Sequence, residues 1–573
     1  MMGLKERKFS TLESISLEGL VPTDNFYRRL EDALDLSFVR ELVAPLYAGG
    51  GRPSVDPLVF FKLELILFCE GFRSERQLME VVADRLSLRW YVGYDLYERL
   101  PDHSSLTRIR ERYGVEVFRS FFEEIVQRCI DAGLVRGNEL FFDSTKVEAN
   151  ADIDSLAPRW AVEEHLGELF DNESEQQNYV DTHTNLPIEP ESSGVEFLPT
   201  AANEELAQAN AASSDWISRN GAQDRSFKAG YRKRTSDWRA SKTDPDASSM
   251  TWTGGARLGY QTHYVVDGGK ARIILDVLVT PSEVIENRPM LDLLWRTCFR
   301  WGLWPHHVTG DARYGTHENI AAIEKAGIRA YVSLTNYDFK DTGFYGPGHF
   351  KYDPRLNVYI CPNGEMLTRR AHNNFTHRTM YRAQADVCNA CPLKEQCTES
   401  ENGRTIYRPD DEEYYERVRA YRGTFPYEKA LRKRQVWIEP LFGEGKQWHG
   451  MRRFRLRRLE KVNMEALLTA SGQNIKRLVQ FGGRRPKTSA QVVALRSPRP
   501  VNQLDHRPRS HRMDMTFAAR KDGFSTRRLM NETGPLDTPI VERTVSPLGR
   551  SLEKLNPVPP PDLCMSACCF RVS

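Results

Sequence analysis

The run Asn138-Glu139-Leu140-Phe141-Phe142-Asp143-Ser144-Thr145-Lys146 decides how the rest of the chain is read. Its alternation puts Leu140 and Phe142 on one side of a strand, and Phe141 and Asp143 on the other. The strand is expected to end by presenting the Asp143 carboxylate. A charge amid so much apolar surface is costly unless something pairs with it. Backbone N–H groups at a core edge are one such partner and a divalent metal ion is another. These nine residues alone favour the first, a structural aspartate. The odds change only if other acids reach the same place.

Residues 260–266 and 272–279 read as strands, with Asp267-Gly268-Gly269 as the hairpin turn between them. Residues 291–299 form an apolar helix-like run. His306-His307-Val308-Thr309-Gly310-Asp311-Ala312-Arg313-Tyr314 is a short strand ending in a second carboxylate. A helix over 317–325 and a strand over 330–334 close the series. The order is strand with Asp143, hairpin, helix, strand with Asp311, helix, strand. It predicts a mixed α/β sheet and matches the ribonuclease H-like order.

A third acid comes late, in Arg432-Lys433-Arg434-Gln435-Val436-Trp437-Ile438-Glu439-Pro440-Leu441-Phe442-Gly443-Glu444-Gly445-Lys446. On a helix, Glu439, Phe442 and Lys446 share one face, and Glu444 lies off it. Proline disfavours helical geometry in the residue before it, which puts Glu439 at a kink or a helix start. The densest basic cluster comes next, with Arg452, Arg453, Arg455, Arg457, Arg458 and Lys461 around Phe454. Residues 464–478 read as a closing helix.

Before the first strand, residues 55–135 read as helical. Asp56-Pro57 is a cap with proline at the first helical position, and Ser74-Glu75-Arg76-Gln77 is a capping box. Val115, Phe118, Phe121, Phe122, Ile125 and Cys129 lie on one helical face. Asp102 caps a helix bearing Arg108, Arg110 and Arg112. This pattern suits a helix-turn-helix-like DNA module and, equally, a helical bundle with a solvated basic face.

Two stretches interrupt the core pattern. Residues 151–253 lose periodicity and carry an acidic run (Glu163 to Glu175). A basic run lies beyond it, Arg225 to Lys242, interleaved with Phe227, Tyr231 and Trp238. Residues 336–425 contain Cys361, Cys388, Cys391 and Cys397. One C-x₂-C pair with two outlying thiols suits a zinc ribbon, with His372 and His377 as spare ligands. Buried free thiols and then disulfides are the alternatives.

The composition is that of a soluble chain, with 40% hydrophobic and 28% charged residues among 573. No apolar run has the length of a membrane span, and the N-terminus lacks a signal-peptide core, so a cytoplasmic protein without membrane partners is expected. The net charge of +2 is unevenly spread. Residues 481–573 hold 16 Lys/Arg against 8 Asp/Glu, so the rest of the chain is net negative. A nucleic-acid surface must therefore be made of local clusters. The same 93 residues, rich in Arg, Pro and Ser, read as a disordered tail.

Taken in series, these motifs resemble an insertion-sequence transposase of the DDE superfamily over residues 15–480. The likeness rests on Gly51-Arg52-Pro53-Ser54-Val55-Asp56-Pro57, Leu100-Pro101-Asp102-His103-Ser104-Ser105-Leu106 and Phe142-Asp143-Ser144-Thr145-Lys146. It continues through Asp244-Pro245-Asp246-Ala247, Gly310-Asp311-Ala312-Arg313-Tyr314-Gly315, Val387-Cys388-Asn389-Ala390-Cys391-Pro392 and Glu439-Pro440-Leu441-Phe442-Gly443.

The resemblance implies a ribonuclease H-like α/β catalytic domain over 138–480 with two insertions, preceded by an all-α DNA-binding domain over 1–137. It implies Asp143, Asp311 and Glu439 as the catalytic, metal-binding acids, with Mg²⁺ or Mn²⁺ as the ion. Arg434 and Lys446 would flank the third acid. The family's tyrosine near this arginine is missing, Tyr427 being seven residues before Arg434. DNA contacts are expected from Arg434, Lys446, Arg452, Arg453, Arg455, Arg457, Arg458, Arg108 and Arg110. The partners would be element ends and target DNA, bound by a dimer or larger assembly, nucleoid-associated when on DNA. The competing readings are a catalytically inactive, repressor-like DNA binder, a nuclease that cuts without joining, and a zinc-stabilised interaction protein.

Overall fold

Side-chain caps set where the N-terminal helices begin. In a computed structural model describing residues 16–47, 54–164, 204–218, 238–333, 344–374 and 376–482, Asn25 caps α2 and Asp56 caps α4. Ser74 caps α5 and Asp102 caps α7. The helices are α1 (Leu17–Leu20), α2 (Phe26–Ala33), α3 (Phe38–Val43), α4 (Pro57–Glu70), α5 (Glu75–Asp84), α6 (Leu86–Val92) and α7 (His103–Asp131). Helix α7 kinks at Gly114, whose φ of 61° suits a residue without a side chain. Of its expected apolar face, Phe118, Phe121, Phe122, Ile125 and Cys129 are buried and Val115 is half-buried.

Strand β1 (Glu139–Glu148) then enters the main sheet. It is longer than expected, so Asp143 sits in mid-strand instead of at its end. A small pair, β2 (Leu156–Pro158) with β3 (Arg239–Ser241), and helix α8 (Glu204–Ile217) come after it. Helix α8 is no loose excursion: Trp216 is buried and its indole donates to Asp292 Oδ2 at 2.7 Å. Next come β4 (Ser248–Trp252), β5 (Gly255–Asp267) and β6 (Ile274–Pro281). Because β4 pairs with β5, the main sheet resumes at 248, and the first insertion ends earlier than the expected 253. Helix α9 (Met290–Trp301), β7 (His307–Gly310), α10 (His317–Lys325) and β8 (Arg329–Val332) complete this part.

The register gives the order β6-β5-β1-β7-β8, with β4 on the outer end of β5. Strands β1, β5 and β6 are antiparallel neighbours; β7 and β8 run parallel to β1. Leu140, Phe141 and Phe142 are all buried, as expected of a central strand covered on both faces.

Residues 344–411 form a separate five-stranded antiparallel sheet, with β9 (Lys351–Asp353), β10 (Val358–Ile360), β11 (Met366–Asn373), β12 (Arg378–Arg382) and β13 (Thr405–Pro409). Short helices α11 (Ala385–Asn389) and α12 (Lys394–Cys397) carry its thiols. The chain returns through α13 (Glu412–Tyr421), α14 (Phe425–Trp437), α15 (Glu439–Trp448) and α16 (Leu459–Phe481).

Helix α16 seals the free edge of β6. Asn474 accepts from Ile274 N–H at 2.9 Å and donates to its C=O at 2.8 Å. Asn463 does the same for Val279, at 2.8 and 3.0 Å. Eleven residues of helix and five of strand each span about 16 Å, so the two amides meet the edge in register. The same helix packs on α7 and α4, and one apolar core runs from Tyr27 to Leu478. The helical region and the sheet therefore share a core.

The glycine loop at 49–51, the span 165–203, the basic residues 225–234, the strand end at 334 and nearly all of the tail lie outside the described residues.

Candidate active site

Asp143 is nearly buried, and its two carboxylate oxygens have separate partners. Oδ1 accepts from Ser144 N–H at 2.9 Å, and Oδ2 accepts from Arg434 Nη1 at 2.6 Å. Burial pushes its pKa up to about 6; Arg434 and the Ser144 N–H pull it down, and the charges of Asp311 and Glu286 push it up again. The carboxyl thus has both an arginine and other acids beside it.

Asp311 comes directly after β7, on the strand beside β1. It caps a single 3₁₀ turn, accepting from Arg313 N–H at 2.9 Å. That turn folds Tyr314 back under Gly310, where a Cβ would stand 2.9 Å from the ring. Tyr314 is buried with its hydroxyl near Ser144, so the turn packs against β1 beside Asp143. Glu286, buried and bonded to Arg313, joins the two aspartates in this acidic cluster. Sequence reasoning missed Glu286. It lies five residues beyond β6, and no pattern in its turn marks it.

The late helices lie over the same face of β1. Glu439 begins α15 and Pro440 stands in its first turn, with α14 ending at Trp437. The acid is therefore at a helix start. Phe442 stacks on Tyr264, at 4.7 Å between ring centres, and Tyr264 is the cross-strand neighbour of Asp143. Lys446 donates to Thr145 Oγ1 at 2.6 Å, two residues along β1 from Asp143. Glu439 shares the helix face of Phe442 and Lys446 and is exposed. Among the described residues, no three His, Cys, Asp or Glu side chains are drawn together tightly enough to hold an ion.

Glu444 has another task. Burial alone would raise its pKa, but His449, Arg477 and Lys476 outweigh that and hold it well below the usual carboxylate range. Lys476 and Arg477 bond it at 2.6 and 2.8 Å. Tyr427 is also structural: it is buried on Tyr331, and its hydroxyl donates to Val332 O at 3.0 Å.

The expected DNA contacts separate into two groups. The backbone after α15 is stitched to the end of β1, with Glu148 N–H donating to Arg452 O and Phe454 N–H to Glu148 O. Arg452, Arg453, Arg457 and Arg108 are exposed. Arg110 and Arg455 are corrections. Arg110 is buried between Glu64 and Glu75, and Arg455 bonds Glu75 at 2.7 Å. Neither guanidinium is open on the surface, because each neutralises a buried carboxylate. Arg458 lies where the chain enters α16, its N–H donating to Asp244 at 2.9 Å.

In the second sheet, Cys361, Cys388, Cys391 and Cys397 line one small cavity. Backbone N–H groups of Glu365, Arg404 and Leu393 point at the sulfurs of Cys361, Cys388 and Cys391 at 3.3, 3.3 and 3.4 Å. The expected spare ligands are elsewhere. His372 bonds Asp410 at 3.0 Å, His377 lies 3.8 Å from the same carboxylate, and neither lines the cavity of the thiols.

Because the folded Asp143 holds its proton to a higher pH than an unfolded aspartate, its contribution to stability is full below about pH 4 and is lost as pH rises through 6. Carbon-13 carboxyl NMR of the metal-free protein, assigned with Asp143→Asn, should give a midpoint near 6, and Arg434→Gln should raise it further.

Two family descriptions match this chain. "Transposase domain (DUF772)" matches residues 15–112, the helical region as far as the first half of α7. "Transposase DDE domain" matches residues 360–479, which contain the thiols, Arg434, Glu439, Lys446 and most of α16. No curated protein and no solved structure matches the chain. Both transposase domain descriptions fall on one polypeptide, in this order, and support an insertion-sequence transposase of the DDE type.

Proposed function

We propose that the chain binds the ends of its own element, cuts DNA there and joins the freed ends to target DNA, using Asp143, Asp311 and Glu439 on a ribonuclease H-like core. One observation carries this reading. The helix pair bearing Glu439 is pinned to β1 on the Asp143 face, by Arg434 on Asp143 at one end and Lys446 on Thr145 at the other. The strand order β6-β5-β1-β7-β8 supports the fold assignment, since it sets Asp143 and Asp311 on adjacent strands.

The donor set fits a hard divalent cation. Carboxylate oxygens are the ligands Mg²⁺ takes, and Mg²⁺ is commonly held by few protein carboxylates plus substrate phosphates. The charges of Asp311 and Glu286 disfavour an ionised Asp143, and a bound cation would offset them. Asp143, Asp311 and Glu439 would hold it, and bound divalent ions supply activation of the attacking oxygen and stabilisation of the leaving one. Cutting and joining are then both in-line displacements at phosphorus. A P–O bond forms to water or to a 3′-hydroxyl as the P–O bond to the leaving 3′-oxygen breaks. No covalent protein nucleophile is needed. Arg434 keeps Asp143 ionised and oriented, and Lys446 presents a cation to a phosphate oxygen on the same strand face.

The four thiols fit zinc, which favours tetrahedral sulfur sites, and N–H groups aimed at the sulfurs stabilise thiolates. Zinc there would be structural, and metal analysis of the purified protein should find about one atom per chain; a folded, zinc-free protein would refute it.

Asp143→Asn, Asp311→Asn and Glu439→Gln should each lower DNA cleavage at least ~100-fold, since even partners that only orient metal ligands are worth about 10–100-fold. End binding should change little in all three. Melting temperature should change little in Asp311→Asn and Glu439→Gln and fall in Asp143→Asn, which leaves Arg434 without its charge partner. A variant that cleaves at the parental rate removes that residue from the assignment.

A further inference from the structure

A cleft of about 400 Å³ opens where the N-terminal helices meet the basic segment after α15. Arg73, Arg76 and His103 line it from the helical side, and Arg455 and Lys461 from the other. Its two acids are already committed: Glu75 to Arg110 and Arg455, and Glu111 to Lys461 at 2.7 Å. Burial would raise the Glu75 carboxyl, but those two arginines outweigh it and hold it below the usual range.

Other cations of the wall keep their charge unspent. Arg73 is braced on the carbonyls of Gly450 and Arg453, both at 2.8 Å, and so meets no carboxylate. Arg76 is exposed, with no acid paired to it among the described residues. At the back, the Nε groups of Arg110 and Arg455 are buried donors without acceptors, and Arg110 is only 3% exposed. Helix α5, of 10 residues, and the part of α7 before its kink at Gly114 begin at this wall, adding the positive ends of two dipoles.

We propose that this cleft receives a phosphodiester of the DNA backbone, gripped jointly by the N-terminal helices and the basic segment of the catalytic region; the proposal rests on the reading of the chain as a DNA transposase. Spare cations, unmet buried donors and helix N-termini are together the chemistry of a phosphate site. The exposed Arg453 beside Arg73, and Arg108 beside the lining Thr107, extend the cation track past the mouth, which suits an extended polyanion better than a lone phosphate. Arg110 and Arg455, spent on Glu64 and Glu75, form the floor of this cleft and leave the grip on the phosphate to Arg73 and Arg76.

The test is fluorescence anisotropy of a fluorescein-labelled DNA duplex with the full chain over a salt series. Arg76→Glu leaves the buried ion-pair network untouched and should melt like the parent. It should bind about tenfold more weakly, with the log K against log salt slope reduced by about one. Arg355→Glu, the same charge change on the exposed second sheet, should bind like the parent. Parental affinity and slope in Arg76→Glu, or equal weakening by Arg355→Glu, overturns the cleft while leaving the DNA reading intact. A parent chain that binds no duplex overturns both.

Discussion

A carboxylate on a strand covered on both faces persists only if a charge is brought to it, and here the charge comes from 291 residues away. The ion pair of Asp143 with Arg434 joins the first strand of the sheet to the helices beyond its last insertion. Both side chains are largely shielded from water. Removing one partner of such a pair typically costs about 3–5 kcal/mol, because the other is left buried and unpaired. The pair therefore locks α14, and with it the start of α15, over β1. The position of Glu439, the Phe442 stack and the Lys446 contact all depend on that lock.

The second constraint is the edge of the sheet. Strand β6 would present a row of unpaired backbone groups, and a helix has no backbone donors or acceptors to spare for it. Asn463 and Asn474 supply the missing partners from side chains, three turns apart on α16. The opposite side of α16 packs on α7 and α4. One helix thus seals the main sheet and fastens it to the N-terminal helices. This puts the basic segment before α16 against α5 and α7, and so builds the cleft between them.

Much of this was legible in the sequence because it is local. The caps at Asp56, Ser74 and Asp102, the hairpin at Asp267, the strand before Asp311 and the helix start at Glu439 each come from a few adjacent residues. What could not be read is set by distant partners. Arg110 and Arg455 look like surface cations in a basic run, and only the fold reveals Glu64 and Glu75 beneath them. Glu286 looks like a loop acid until the turn after β6 brings it to Asp143. Trp216 sits in a stretch without clear periodicity, yet α8 is ordered by a contact to Asp292 on α9. The polar Ser144, Thr145 and Lys146 make β1 look shorter than it is, although β5 pairs with them throughout.

Everything proposed for the chemistry requires one divalent-ion site shared by the first strand, the strand beside it and the late helix pair. The most direct measurement loads the protein with Fe²⁺ in place of Mg²⁺, adds ascorbate and peroxide, and maps by mass spectrometry where the bound iron cuts the chain. A shared site predicts three clusters of cuts, around residues 143, 311 and 439, all suppressed by excess Mg²⁺ and all lost in Asp143→Asn. Cuts confined to other segments, or a pattern that survives Asp143→Asn unchanged, would contradict it.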